Sequence, residues 1–199
     1  MMVSRKKEKV SEKIKEMVND RLGSPQNAVD DDLLGQMIKD MSNVNFVTKE
    51  YINKLMFVLM FATFQTVPFV TTLALKFMSE NPAVLQELTE EHEEILRKRE
   101  TLDSSVTWEE FKSMTYTQQV INEALRLGRP EFVSKNLKPF GGGIKQCVGA
   151  DFSRASMAIF LHVLVTKYRW TVVKGGEIVQ NPIKRFKNGF HINLRERVD

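Results

Sequence analysis

The chain has 199 residues, enough for one ordinary domain, and its 42% apolar and 27% charged residues are typical of a globular protein. The formal charge of +4 is mild, and acidic residues alternate with the lysines of the first twenty positions. This mixture favours a solvated helix face, so we expect no nucleic-acid partner. A single cysteine excludes a disulfide framework and a multi-cysteine zinc site, and it suits a reducing compartment.

Helical periodicity dominates the chain up to residue 127. The spacing of apolar residues, together with cap and turn residues, predicts helices over residues 9–20, 33–38, 49–78, 82–96, 117–127 and 152–163, and a short helix after Thr107. Gly23 is expected to end the first helix, Thr48 to cap the long helix and Ser79 or Asn81 to cap the next, and Thr107 with Glu110 is expected to form a capping box. Strands are expected at 170–173, 178–179 and 190–194, with a turn at 174–176. The predicted fold class is mainly α with a small β appendage.

The long predicted helix contains no charge between Lys54 and Lys76, and that length is sufficient to span a bilayer. It also contains several threonines, Gln65 and Pro68, which are costly in hydrocarbon. We therefore favour a helix buried in a protein core and keep a membrane-spanning helix as an alternative. Residues 1–20 contain no apolar segment of the kind found in a signal peptide, so none is predicted.

A glycine-rich loop around Cys147 is the most informative segment. Three consecutive glycines, 141–143, allow the backbone to approach a flat ligand closely, and the cysteine precedes a predicted helix. The free amides of a helix N-terminus favour a thiolate over a thiol. The alternative interpretation is a buried structural cysteine, since free cysteine is commonly buried.

The spacing of Phe140, Gly143, Cys147 and Gly149 resembles the haem-ligand signature of the cytochrome P-450 family. This resemblance implies a haem cofactor whose iron is held by the Cys147 thiolate. The family usually has arginine where this chain has Lys145. Lysine keeps the charge that would pair with a haem propionate but loses the bidentate fork, so a weaker contact is implied.

Two other segments resemble the same family, in the family's order along the chain. Glu123 and Arg126 match the Glu-x-x-Arg helix that packs beneath the haem. Gln65 and Thr66 match the segment that assists oxygen activation, where Thr66 would donate a hydrogen bond. The family normally has an acid at position 65, and an amide can orient water but cannot take and return a proton. Pro68 is a further departure and is expected to bend the helix.

The resemblance implies an incomplete C-terminal portion of the cytochrome P-450 fold, with residues 1–199 forming a single partial haem-monooxygenase domain. Residues 49–127 would supply the long central helix and the helices after it, and residues 140–199 the cysteine loop, a helix and a terminal β hairpin. The amino-acid sequences of residues 120–127 and 140–170 resemble those of the plant branch of the family, which oxidises sterols, triterpenoids and brassinosteroid-like molecules. The implied partners are a lipophilic small molecule and an NADPH-dependent reductase flavoprotein. The family is anchored in the endoplasmic reticulum membrane, and without a visible anchor this chain is expected to be cytoplasmic or membrane-associated.

Only 21 positions separate Arg126 from Cys147, whereas the family needs several times that length for strands, a helix and a meander. The arginine that would complete the Glu123–Arg126 network is therefore expected to be absent, unless Arg129 replaces it. We expect a truncated and internally deleted relative that retains haem poorly and is impaired as an enzyme. Two alternatives remain: a non-catalytic remnant without haem, and a membrane-spanning helical interaction protein.

Overall fold

The structure is a computed structural model that describes residues 2–23, 32–101, 104–128, 138–180 and 184–197, with side chains from residue 7 onward. The chain divides into two compact units, Met1–Gln65 and Thr66–Asp199. The boundary falls within one long helix, and each unit has a hydrophobic cluster of its own. The assignment of residues 1–199 to a single partial domain stays a prediction.

The first unit contains α1 (Met2–Gly23), α2 (Leu33–Asp40) and the beginning of α3 (Lys49–Glu80). Helix α1 starts earlier than the apolar spacing predicted but ends at Gly23, as expected. Thr48 caps α3 as predicted, because its hydroxyl accepts a hydrogen bond from the Tyr51 amide at 3.2 Å. The core of this unit consists of Ile14, Val18, Leu34, Met37, Val47 and Ile52.

Helix α3 runs for 32 residues and continues through Pro68. This confirms that the uncharged stretch belongs to one long helix, while the bend expected at Pro68 stays a prediction. Its threonines bond back to the preceding turn, as in the donation from the Thr72 hydroxyl to the Pro68 carbonyl at 2.7 Å. By length and composition α3 could cross a membrane, and 22% of its most apolar window is buried.

The second unit contains the rest of α3, then α4 (Pro82–Arg97), α5 (Trp108–Ser113), α6 (Thr115–Leu127) and α7 (Ala150–Lys167). Helices α4, α6 and α7 pack against one another and enclose the core with the C-terminal end of α3. The buried apolar side chains of this core are Leu75, Met78, Leu88, Ile95, Met114, Val120, Ile121, Met157, Ala158, Leu161, Leu164 and Val165.

One of the two predicted caps in this unit is confirmed in its position but lacks the side-chain hydrogen bond. Asn81 occupies the cap position of α4, but its side chain donates to the Phe77 carbonyl at 2.7 Å and caps nothing. Ser79 donates to the Leu75 carbonyl instead. At α5 the predicted capping box is present, because the Glu110 amide donates to the Thr107 hydroxyl and the Thr107 amide to the Glu110 carboxylate.

The small β appendage is confirmed, but its pairing differs from the simple hairpin expected after Trp170. Strand β1 (Tyr168–Gly175) pairs antiparallel with β4 (Phe190–Glu196), and β2 (Ile178–Gln180) with β3 (Lys184–Phe186). Gly175 has φ +96°, and a Cβ there would lie 2.1 Å from the Gly189 carbonyl oxygen. The backbone at Gly175 and the backbone at Gly189 lie too close together for any residue other than glycine at position 175.

Candidate functional site

Backbone hydrogen bonds fold the segment from residue 138 to residue 149 into a closed loop. The Cys147 amide donates to the Phe140 carbonyl at 2.8 Å, which joins the cysteine to the residue before the glycine run. A single 3-10 turn, Gly143–Lys145, lies between them. Cys147 stands three residues before Ala150, the first residue of α7, as its position before a helix predicted.

Two of the three glycines have left-handed backbone geometry, and Gly141 is also sterically confined. It has φ +76°, and a Cβ there would lie 3.3 Å from the Lys145 carbonyl oxygen. Gly143 has φ +63° with open space around it. Gly142 has φ −164°, an extended conformation that any residue can adopt. The glycine run is therefore needed for the path of the backbone at two positions out of three.

Cys147 is exposed, so the alternative of a buried structural cysteine is wrong. The side chains of Ile144 and Val148 on either side are almost fully in solvent, and Phe152 in the first turn of α7 is 68% exposed. Ile159 on α7 is exposed too, whereas Leu161 and its neighbours on that helix face the core. Three exposed apolar side chains so close to the cysteine in the chain indicate a place for an apolar partner or ligand.

Arg154 connects the cysteine loop to α6. Its guanidinium carbon lies 5.1 Å from the centre of the Phe140 ring, and its Nη1 donates to Asn122 Oδ1 at 2.8 Å. The sequence reasoning missed both Arg154 and Asn122. The available signal was an arginine two helical turns after Cys147, on the helix that begins at the loop.

Glu123 and Arg126 contact each other on α6, as their spacing predicted. Arg126 Nε donates to Glu123 Oε2 at 2.7 Å, and a second contact joins Nη2 to Oε1. The hydrogen bond from Arg126 lowers the pKa of the Glu123 carboxyl. The arginine side chain is 59% exposed, so this pair contributes at most about 1 kcal/mol. Its role beneath a haem stays a prediction.

The remaining predicted site residues lie on α3 and in the loop. Gln65 is half-buried and ends the first unit, while Thr66 is exposed and begins the second. Lys145 is exposed at the end of the 3-10 turn. The roles of Gln65 and Thr66 in oxygen activation stay predictions.

The sequence profile of the cytochrome P-450 family matches residues 1–133 and 129–193 of this chain. The chain belongs to the cytochrome P-450 family. The match includes the cysteine loop and all the predicted site residues. The family implies haem held through a cysteine thiolate.

Curated plant relatives agree with this membership. The chain is 35% identical to cucurbitadienol 11-hydroxylase of Siraitia grosvenorii, with 93% of this chain and 50% of that protein aligned. It is 31% identical to beta-amyrin 16-alpha-hydroxylase of Maesa lanceolata, over 96% and 52% of the two chains. It is 34% identical to cytochrome P-450 87A3 of Oryza sativa subsp. japonica, over 89% and 46%. The chain thus spans about half the length of the curated relatives it matches.

Solved structures confirm the fold. A crystal structure of a cytochrome P-450 superposes with a TM-score of 0.80 at 17% identity, over 98% of this chain and 57% of that one. A cyanobacterial member with retinoic acid bound gives 0.77 at 19% identity, over 94% and 55%. The expected incomplete cytochrome P-450 fold is therefore confirmed.

The alignments also confirm the predicted internal deletion. The match to cucurbitadienol 11-hydroxylase extends over 240 positions, whereas 93% of this chain is only about 185 residues, so about 55 aligned positions have no residue here. The two segments of the family match meet at residues 129–133. This is the interval between Arg126 and Cys147 that the motif spacing marked as too short.

The residues of the cysteine loop fit the haem that the family implies. Cys147 is the only cysteine of the chain, its thiol is accessible, and a thiolate is the ligand that this chemistry requires. The exposed side chains of Ile144, Val148 and Phe152 match the apolar face of a flat macrocycle. Lys145 supplies a positive charge of the kind that pairs with a carboxylate.

Proposed function

We propose that this chain carries the haem-thiolate site of a monooxygenase that hydroxylates a triterpenoid- or sterol-like molecule. The observation that carries the proposal is the exposed Cys147 thiol, which stands at the start of α7 within an apolar surface. The names of two relatives, which act as hydroxylases of cucurbitadienol and beta-amyrin, support the substrate class. Electrons would come from an NADPH-dependent reductase flavoprotein.

When bound, haem supplies the centre at which dioxygen is activated. Cys147, which stands just before α7, would hold the iron through its thiolate. Lys145 would pair with a haem propionate through a single ammonium contact. The backbone bond from the Cys147 amide to the Phe140 carbonyl keeps the sulfur-bearing residue in place.

Thr66 and Gln65 would act from α3. The Thr66 hydroxyl would donate a hydrogen bond during oxygen activation, and Gln65 would orient a water molecule. Because an amide neither takes nor returns a proton, proton delivery through position 65 would be slower than with an acid. Glu123 and Arg126, whose ion pair joins adjacent turns of α6, would stabilise the part of the protein that packs beneath the haem.

We further propose that the chain by itself is impaired as an enzyme. Apolar burial contributes roughly 25 cal/mol per Å², and the described residues leave the surface around Cys147 open to solvent. The missing positions after residue 128 remove further contacts that would retain haem. A second candidate, a non-catalytic chain without haem, is supported by the same exposure. In either case we place the protein at a membrane, as for plant members of the family.

Two expression experiments test these proposals. In the first, the chain is produced with a reductase and a haem precursor and supplied with mixed sterols and triterpenoids. We expect no oxygenated product, and Gln65→Glu should rescue nothing, because retention of haem is the limiting defect. Turnover that depends on Cys147 would contradict the proposed impairment.

In the second experiment, residues 138–197 of this chain replace the matching segment of cucurbitadienol 11-hydroxylase. The chimaera places this loop within the full length of that relative. We expect haem binding and hydroxylation that are both lost in the matched Cys147→Ala chimaera. A folded chimaera without haem would refute the proposed role of this loop.

A further inference from the structure

We propose that Arg154 is a positioning residue that holds the Cys147 loop against α6 and thereby fixes the position of the Cys147 backbone. The proposal rests on Cys147 being the functional residue of the proposed site. It concerns two contacts of Arg154, one with the ring of Phe140 and one with Asn122. None of the family motifs considered above includes Arg154 or Asn122.

The first contact acts on the loop itself. The guanidinium carbon lies 5.1 Å from the centre of the Phe140 ring, within the range of a cation–π interaction. The carbonyl of the same Phe140 accepts the Cys147 amide at 2.8 Å. Arg154 therefore restrains Phe140, the residue that accepts the Cys147 amide. If Phe140 moved, this hydrogen bond would move the backbone of Cys147 with it.

The second contact fixes the direction of the guanidinium. Arg154 Nη1 donates to Asn122 Oδ1 at 2.8 Å across the α6–α7 packing. The next residue, Glu123, is already engaged by Arg126, so Asn122 offers a neutral acceptor without competition from that carboxylate. A planar guanidinium can stack on a ring and donate in its own plane at once, whereas an ammonium has no such plane. Arginine is therefore suited to this position in a way that lysine is not.

Arg154 also belongs to the helix whose first turn follows the cysteine. The Ala150 amide donates to the Cys147 carbonyl at 3.3 Å, and the Ser153 amide to the Gly149 carbonyl at 2.8 Å. Cys147 is thus connected to Arg154 in two ways, through the first turn of α7 and through Phe140. Loss of the Arg154 side chain would remove the connection through Phe140 and leave the helix intact.

The experiment uses the full chain without haem, so it does not depend on cofactor retention. Arg154→Gln, Arg154→Lys and Asn122→Ala are compared with the unmodified chain, and Arg185→Gln, an exposed arginine on β3, is the matched control. Amide hydrogen exchange is measured at residue 147. The rate at which an aromatic disulfide reagent modifies Cys147, the only thiol, is measured at one fixed pH as a report of how open the loop is.

We expect Arg154→Gln to speed exchange of the Cys147 amide by about tenfold and to speed modification of the thiol by a few-fold, with exchange in α4 unchanged. Arg154→Lys should restore part of both effects, Asn122→Ala should show a smaller change in the same direction, and Arg185→Gln should show none. Unchanged exchange and an unchanged modification rate in Arg154→Gln would overturn the proposal, as would equal acceleration throughout the second unit. Failure of the haem proposal would appear separately, as a chimaera that binds no haem while these loop effects persist.

Discussion

His92 Nδ1 lies 2.9 Å from His162 Nδ1 in the core of the second unit, where both side chains are buried. The proton positions follow from the neighbours. The Thr117 hydroxyl donates to the Glu91 carboxylate at 2.6 Å, so it accepts from His92 Nε2 at 3.0 Å. His92 Nδ1 then carries a lone pair and accepts the proton of His162 Nδ1. His92 is therefore neutral in this arrangement, and the hydrogen bonds run in one direction from α7 through α4 to α6.

This geometry predicts that the second unit loses stability in mild acid. Burial and the charge of His162 lower the pKa of His92 from 6.5 to about 3, and burial followed by the charge of Arg99 lowers that of His162. Because the folded pKa lies below the unfolded one, the unfolded state binds more protons as the pH falls below 6.5. Stability is present above that pH, and we expect a loss of about 1.4 kcal/mol per pH unit for each histidine that charges.

Urea unfolding followed by tryptophan fluorescence between pH 7.5 and 5 measures this effect, before most carboxyl groups titrate. His92→Gln should reduce the slope of unfolding free energy against pH. The matched control is His191→Gln, which changes an exposed histidine on β4 and should leave the slope intact. A stability that does not change over this range would show that the pair is charged or hydrated in the folded protein.

The ion pair of Glu110 with Arg99 predicts a large local effect of mutation. Arg99 donates to both Glu110 oxygens, at 2.6 and 2.8 Å, and its side chain is only 7% exposed. The hydrogen bond from Arg99 is the first cause that lowers the pKa of Glu110, to about 2. We expect Glu110→Ala to cost about 3 kcal/mol, since it leaves a buried guanidinium without its carboxylate and breaks the capping box.

Thr107→Ala is the comparison for that variant, because it removes the cap alone. It should cost about 1 kcal/mol. Urea unfolding of both variants at neutral pH gives the difference. Equal losses would mean that the contact with Arg99 adds nothing beyond the cap.

The cysteine loop predicts unequal tolerance of two adjacent glycines. Gly141→Ala places a side chain at φ +76° and against the Lys145 carbonyl, so it should destabilise the loop by about 1–2 kcal/mol. Gly142→Ala is the matched control, because its backbone is extended and the nearest atoms belong to the flexible Lys138 side chain. Amide exchange of Cys147 should accelerate in the first variant only. Similar exchange in both would argue against the left-handed geometry at Gly141.

The sequence was sufficient for most helices because apolar spacing and cap residues repeat locally. The Thr48 cap, the Thr107 capping box and the helix end at Gly23 depend on residues a few positions apart. The Glu123–Arg126 pair is local for the same reason. The internal deletion was also visible, because the distance between two motifs can be read without knowing the fold.

Long-range partnerships were not predictable from local spacing. Ser79 bonds to Leu75 and accepts Trp170 Nε1 at 2.9 Å, so the strand that follows α7 determines what this hydroxyl contacts. Pairing of β1 with β4, instead of a direct hairpin, depends on the close approach at Gly175 and Gly189. The contact of Arg154 with Asn122 joins residues 32 positions apart, and the sequence around each of them contains no pattern that predicts it.

The most direct test of the account is the absorbance spectrum of the purified chain mixed with excess haem, reduced, and exposed to carbon monoxide. We expect a weak thiolate-type Soret band in the unmodified chain, which is lost in Cys147→Ala and diminishes on gel filtration, because the site is open to solvent. Gly142→Ala, which leaves the ligand and the loop path intact, should keep the band. Identical spectra from the unmodified chain and Cys147→Ala would contradict the assignment of Cys147 as the haem ligand.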